Sequence, residues 1–144
     1  MRGLVTMAGA LLLAGCLQPA RIEADDAWVR LPAVAGRPGA GYFTLHGGAE
    51  RATLIAVSAD RAIRTEMHAT MQHGGAMTMR PLAAVPLAAE GEVRFAPGGR
   101  HLMLFGLSPT LKPGGATILT FSFADGSRLQ RKASVIGASD PAPN

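Results

Sequence analysis

The chain predicts an all-β domain, a Greek-key sandwich or barrel, on three observations. Eighteen glycines and ten prolines punctuate 144 residues, so the runs between breakers are short. No stretch of ten or more residues carries the apolar period of an amphipathic helix. One late segment alternates cleanly, Leu119, Phe121 and Phe123 against Thr120, Ser122 and Ala124, as a strand with one buried face does. Eight or nine short strands in one domain imply a two-layer sandwich or a closed barrel.

The predicted strands follow from these breakers. Asp26–Leu31 opens the series. Gly41–His46 ends at the turn residues Gly47-Gly48. Ala52–Ser58 is a further short run. Thr65–His68 and Met77–Pro81 form a hairpin whose connection is Ala69–Ala76. Glu92–Phe95 follows, and the turn Pro97-Gly98-Gly99-Arg100 launches His101–Leu107. Ala116–Phe123 and Leu129–Val135 close the series as a hairpin around Ala124-Asp125-Gly126-Ser127.

Ahead of the first strand lies a processing signal. Arg2 supplies a positive start, and Gly3 to Leu13 is an apolar run too short to span a bilayer comfortably. It ends in Leu13-Ala14-Gly15-Cys16, which resembles a bacterial lipobox. That resemblance implies cleavage before Cys16 and acylation of the cysteine. The expected division is a signal over 1–15, a lipidated tether over 16–24, a sandwich domain over 25–137 and a short tail over 138–144. The expected location is the periplasmic side of the cell envelope, anchored to the membrane through the N-terminal lipid. Leu17 in place of Asp favours the outer membrane, by resemblance to Gram-negative sorting.

Cys16 is the only cysteine. Once acylated it leaves no disulfide framework and no thiolate ligand. A blue-copper site of the His₂Cys type and a cysteine-rich zinc site are both excluded. The formal charge is +4, but the arginines are scattered and form no basic stripe with interleaved aromatics. Nucleic acid is therefore not an expected partner.

Four side chains stand out: His68, Met79, His101 and Met103. Ten residues separate the first two, twenty-one the next, and Leu102 alone stands between the last two. Two imidazoles and two thioethers make a soft donor set. Such sulfur suits Cu(I) and serves zinc, magnesium or calcium poorly. Residues i and i+2 of a strand share a face, so His101 and Met103 point one way while Leu102 and Leu104 point into the core. The hairpin is expected to set His68 beside Met79. Met67, Met71, His73 and Met77 are candidate accessory donors. The competing reading of the connection residues is an ordinary loop, and Met is a common core filler. His46 is expected to be structural or solvated. Glu66 shares a face with His68, where it could orient the imidazole or remain solvated.

With these residues in view, the chain resembles the PCuAC family of periplasmic Cu(I) chaperones. The matching segments are Glu66-Met67-His68, Met77-Thr78-Met79-Arg80-Pro81 and Arg100-His101-Leu102-Met103-Leu104-Phe105-Gly106-Leu107. Supporting matches are Ala27-Trp28-Val29-Arg30, Gly41-Tyr42-Phe43-Thr44 and Leu111-Lys112-Pro113-Gly114. The resemblance covers about Asp25 to Val135. It implies a cupredoxin-like β-sandwich and one Cu(I) held by His68, Met79, His101 and Met103. It also implies copper-donating or copper-accepting envelope partners, with supply of cytochrome oxidase or copper homeostasis as the role. His73 beside Met71 and the lipid anchor depart from the commoner family pattern. The expected protein is a carrier, not an enzyme, since no nucleophile–base pair, phosphate loop or paired carboxylates can be defended. The alternative is an envelope lipoprotein that binds no metal and acts through protein contacts.

Overall fold

The structure, a computed structural model, describes residues 18–143. The signal segment and Cys16 lie outside the described residues. Among those described, no helix is long and apolar enough to cross a membrane.

Ten strands form: β1 (Glu23–Arg30), β2 (Gly39–His46), β3 (Ala52–Ala59), β4 (Arg64–His73), β5 (Ala76–Pro81), β6 (Val85–Leu87), β7 (Glu92–Phe95), β8 (Arg100–Phe105), β9 (Ala116–Phe123) and β10 (Arg128–Ile136). Their hydrogen-bonded order is β5-β4-β8-β2-β1-β10-β9-β3-β6, with β7 also on β2. The path curls back on itself. The Thr65 hydroxyl of β4 donates to the Val57 carbonyl of β3. One core fills the space between the layers, drawing Val29, Phe43, Leu54, Leu102, Leu104, Leu119 and Val135 from six different strands and more from the rest. Phe43 is its centre, stacked on Phe95 at 4.3 Å and meeting the Phe121 ring edge-on at 4.8 Å. Such aromatic pairs contribute about 0.5–1.5 kcal/mol each beyond their buried area. The fold is the all-β, cupredoxin-like sandwich in a single domain.

Period-2 burial explains most strands. β9 alternates between partly exposed and buried along its whole length, and Leu102 and Leu104 of β8 are fully buried. Four differences from the sequence expectation have physical causes. β6 is only three residues long and contains Pro86, too short to show a period. β4 runs on to His73, and the connection shrinks to Gly74-Gly75. Both glycines have positive φ, 54° and 85°, as a two-residue hairpin turn of the primed type requires. β8 stops at Phe105, where Gly106 turns the chain with φ 63°. The folded part begins earlier than Asp25, because Ala24 is a core residue 2% exposed. The tail is held too: the Arg30 guanidinium donates to the carbonyls of Gly137, Ala138 and Asp140.

Candidate metal centre

Three adjacent strands carry the four sequence-derived donors. β8 pairs with β4 in a register that sets His68 opposite His101 and Glu66 opposite Met103. β4 pairs with β5 so that Thr70 faces Met79 and His68 faces Pro81. The side-chain period then puts Glu66, His68 and Thr70 of β4, His101 and Met103 of β8, and Met77 and Met79 of β5 on one face. This departs from the expected direct pairing of His68 with Met79. Directly opposite His68 stands His101, and Met79 is a diagonal neighbour, a step of about 7–8 Å that a long side chain can span.

The opposite face of the same strands is the core. Met67 is 5% exposed and is paired with Leu102. Its expected accessory role is corrected on that ground: one residue from His68 on a strand is the wrong side of the sheet. Met71 and His73 share the parity of Met67 and lie away from the donor face, opposite Thr78 and Ala76. Of the accessory candidates, only Met77 falls on the donor face. Under the sheet, Gly41 of β2 faces Leu102, and a Cβ there would come within 3.1 Å of it. A glycine at this point lets β2 sit close against β8.

The imidazoles are already oriented. His68 Nε2–H donates to Glu66 Oε2 at 2.9 Å. Its Nδ1 is buried and has no hydrogen-bond partner, so a lone pair is left without a protein donor. His101 Nδ1–H donates to the Gly99 carbonyl at 3.1 Å, which leaves Nε2 as the lone-pair nitrogen. A ligand histidine ordinarily gives its other N–H to a carboxylate or carbonyl in this way. The two rings are near-parallel, 22° apart, with centres separated by 6.0 Å. Two metal–imidazole bonds of roughly 2 Å each fit within such a gap.

Glu66 is the residue that sequence reasoning left half-assigned. It accepts from His68 and from Arg64. The hydrogen bond from His68, aided by the Arg64 charge, holds its carboxyl below the ordinary 4.5. The signal was present in the sequence as the i, i−2 spacing, but that spacing alone could not tell a bonded carboxylate from a solvated one. The Gly99 carbonyl could not be foreseen at all, since backbone acceptors leave no trace in residue type.

Burial grades across the site. The His68 side chain is 13% exposed, whereas Met79 is 57% exposed. The thioether of β5 therefore forms the open wall and the imidazole pair the floor. Among the described residues, no three of His, Cys, Asp and Glu lie together as a metal-holding group; the four sequence-derived candidates are two imidazoles and two thioethers, with Met77 a further thioether on their face. His46 is elsewhere on β2, with Asp25 at 3.2 Å and Glu92 at 3.8 Å from its ring nitrogens.

Residues 22–135 match the sequence profile of a family described as "Putative lipoprotein LpqE-like". The chain belongs to the LpqE-like family. A relative from Leifsonia xyli subsp. xyli, named "Putative lipoprotein Lxx21020", is 30% identical over 107 residues, 74% of this chain. The match spans 64% of that protein's length. Solved structures carry the fold of this LpqE-like chain as well. The copper-bound PCuAC domain from PmoF2 superposes with a TM-score of 0.66 at 21% identity, covering 83% of this chain and 96% of that domain. Apo-DR1885 from Deinococcus radiodurans gives 0.61 at 24% identity, over 95% and 92% of the two chains. The Cu(I) form of DR1885 gives 0.57 at 28% identity, over 85% and 81%. The LpqE-like chain thus has the architecture of PCuAC domains.

Proposed function

We propose that this protein carries one Cu(I) in the cell envelope, taken by His68 Nδ1, His101 Nε2 and the thioethers of Met79 and Met103. The observation that carries the reading is the shared face: four soft donors on three paired strands, with one imidazole nitrogen buried and unpartnered. The likeness to a Cu(I)-bound structure at 28% identity supports it. Copper is cargo here. All four donors are neutral, so the bound ion keeps its single charge, and thioethers favour Cu(I) over Cu(II). The open methionine wall suits stepwise displacement by an acceptor's ligands. No redox step or bond cleavage is involved, and the protein is a carrier and not an enzyme. Cys16, acylated, ties it to the membrane. The acceptors are copper-receiving envelope proteins, with cytochrome oxidase copper-centre assembly or copper homeostasis as the destination.

The test is a Cu(I) titration of the purified protein in detergent, against a chromophoric chelator under reducing conditions. One tight equivalent is expected. His101→Ala and Met103→Ala should each abolish tight binding, and His46→Ala should leave it unchanged. Equal affinity in the Met103→Ala protein would sink the assignment.

A further inference from the structure

Met77 is a third thioether on the donor face, after Met79 and Met103, and the second that β5 supplies. It stands opposite Gln72, as Met79 stands opposite Thr70. The two lie two residues apart on β5, about 6.8 Å along the strand, and Met77 is the nearer to the hairpin tip. It is 64% exposed. All six residues of β5 are exposed, so burial does not dictate which side of the strand is apolar. Even so, Thr78 and Arg80 take the far side, and Met77, Met79 and Pro81 take the donor side. Among the described residues β5 pairs with β4 alone, leaving this row at the edge of the sheet, where an approaching donor meets no further strand.

We propose that Met77 is the transfer ligand of the site, the sulfur through which Cu(I) enters and leaves. This inference rests on the Cu(I) reading given above. In transfer, a copper–sulfur bond to Met77 forms as a bond to one of the inner donors breaks. The incoming group then takes the ion from Met77. The copper stays Cu(I) throughout, and a thioether neither gains nor loses a proton, so the exchange is a substitution with no electron or proton to account for. Exposed Met77 and Met79 lead along β5 to the sheltered His68, a path of donors from the hairpin tip to the imidazoles. The imidazole floor holds the ion, and the outermost thioether governs how fast it moves.

The experiment compares wild type with Met77→Leu, which preserves volume and apolarity but removes the sulfur, and with Thr78→Val on the far side of β5 as a control for the hairpin. Stopped-flow absorbance follows Cu(I) moving between the protein and bicinchoninate, and equilibrium competition is measured on the same samples. The expected result is a fall of about tenfold in the Met77→Leu exchange rate, a modest rise in barrier, with affinity changed far less and Thr78→Val behaving as wild type. Methyl ¹³C NMR should show the Met77 signal broadened by exchange at substoichiometric Cu(I). Unchanged exchange rates in Met77→Leu would overturn the inference. So would a loss of affinity as large as the loss of rate, which would make Met77 a resident ligand. A wild-type protein that takes no Cu(I) would overturn the carrier reading and this inference with it, whereas normal binding with unaltered rates overturns the inference alone.

Discussion

His68 is held from one side and open on the other. Glu66 accepts a hydrogen bond from its Nε2–H, and the buried Nδ1 has no protein partner. Removing the carboxylate should therefore free the ring to turn and to change tautomer. Loss of such a supporting partner typically lowers metal affinity about 10–100-fold. Glu66→Ala is expected to fall in that range, and Glu66→Gln, which keeps an acceptor oxygen, by less. Competition titration at fixed pH measures both, and equal affinity in all three proteins would refute the orienting role. Protonation of either imidazole removes a donor, so uptake weakens in acid through the histidines, the thioethers having no proton to gain. At this scale the sequence was most informative for side chains with distinctive chemistry: two His and two Met at unusual spacing stood out as candidate donors before any geometry, and the strand registers set them on one face. It was least informative about what holds them. The register that pairs His68 with His101 is set by backbone bonds between β4 and β8, which residue types do not announce.

The β4–β5 hairpin shows why some elements were hidden. Beyond Ala69 it leaves the sandwich as a two-stranded ribbon with Gln72, His73 and all of β5 exposed. A ribbon wet on both faces has no apolar alternation to display, so its outer half reads as loop. The inner strands were legible because the core imposes a period of two on them. The ribbon instead depends on its turn. Gly75 adopts φ 85° with open space around its Cα, so a side chain there meets no clash but must accept a left-handed backbone. Gly75→Val is expected to cost about 1–2 kcal/mol, felt locally. Amide hydrogen exchange along β4 and β5 should quicken, while amides of β9 and β10 keep their protection. Cu(I) affinity should drop with it, because Met79 sits on the loosened strand. Uniform protection in wild type and variant would show the turn to be unimportant.

The whole molecule closes through distant parts of the chain, and Asp60 is one clasp. Its carboxylate accepts from the Thr117 hydroxyl at 2.6 Å and the Ile118 N–H at 2.8 Å, tying the end of β3 to the start of β9. Desolvation alone would raise this carboxyl, but those two bonds and the Arg61 charge outweigh it and hold it below 3.8. A depressed carboxyl stabilises the fold above its unfolded value and loses that contribution as pH falls through the folded one. Denaturant melts of wild type and Asp60→Asn should therefore differ by a constant amount near neutrality. The gap should narrow only in the acid range at and below 3.8. A difference that grows as pH falls would contradict the clasp. The sequence announced the all-β class through its glycine and proline spacing and the alternation of β9, yet it could not reveal which distant strands meet. Asp60 and Thr117 are ordinary residues until the β3–β9 pairing brings them together.

The order of the ladders gives the sandwich two distinct ends. Ala40 stands opposite both Met103 and Arg30, and His46 stands opposite Glu23. Following β2 from Ala40 to His46 therefore runs β1 back toward its beginning. The same direction carries β4 from Glu66 past His68 to the tip at Gly74. The first strand thus enters the sandwich at the end where the donor hairpin projects, and the Ala49 amide bonded to the Ala20 carbonyl keeps the entering chain there. The molecule has a polarity: the entering chain and the methionine hairpin share one pole, and the tail that Arg30 gathers lies at the other.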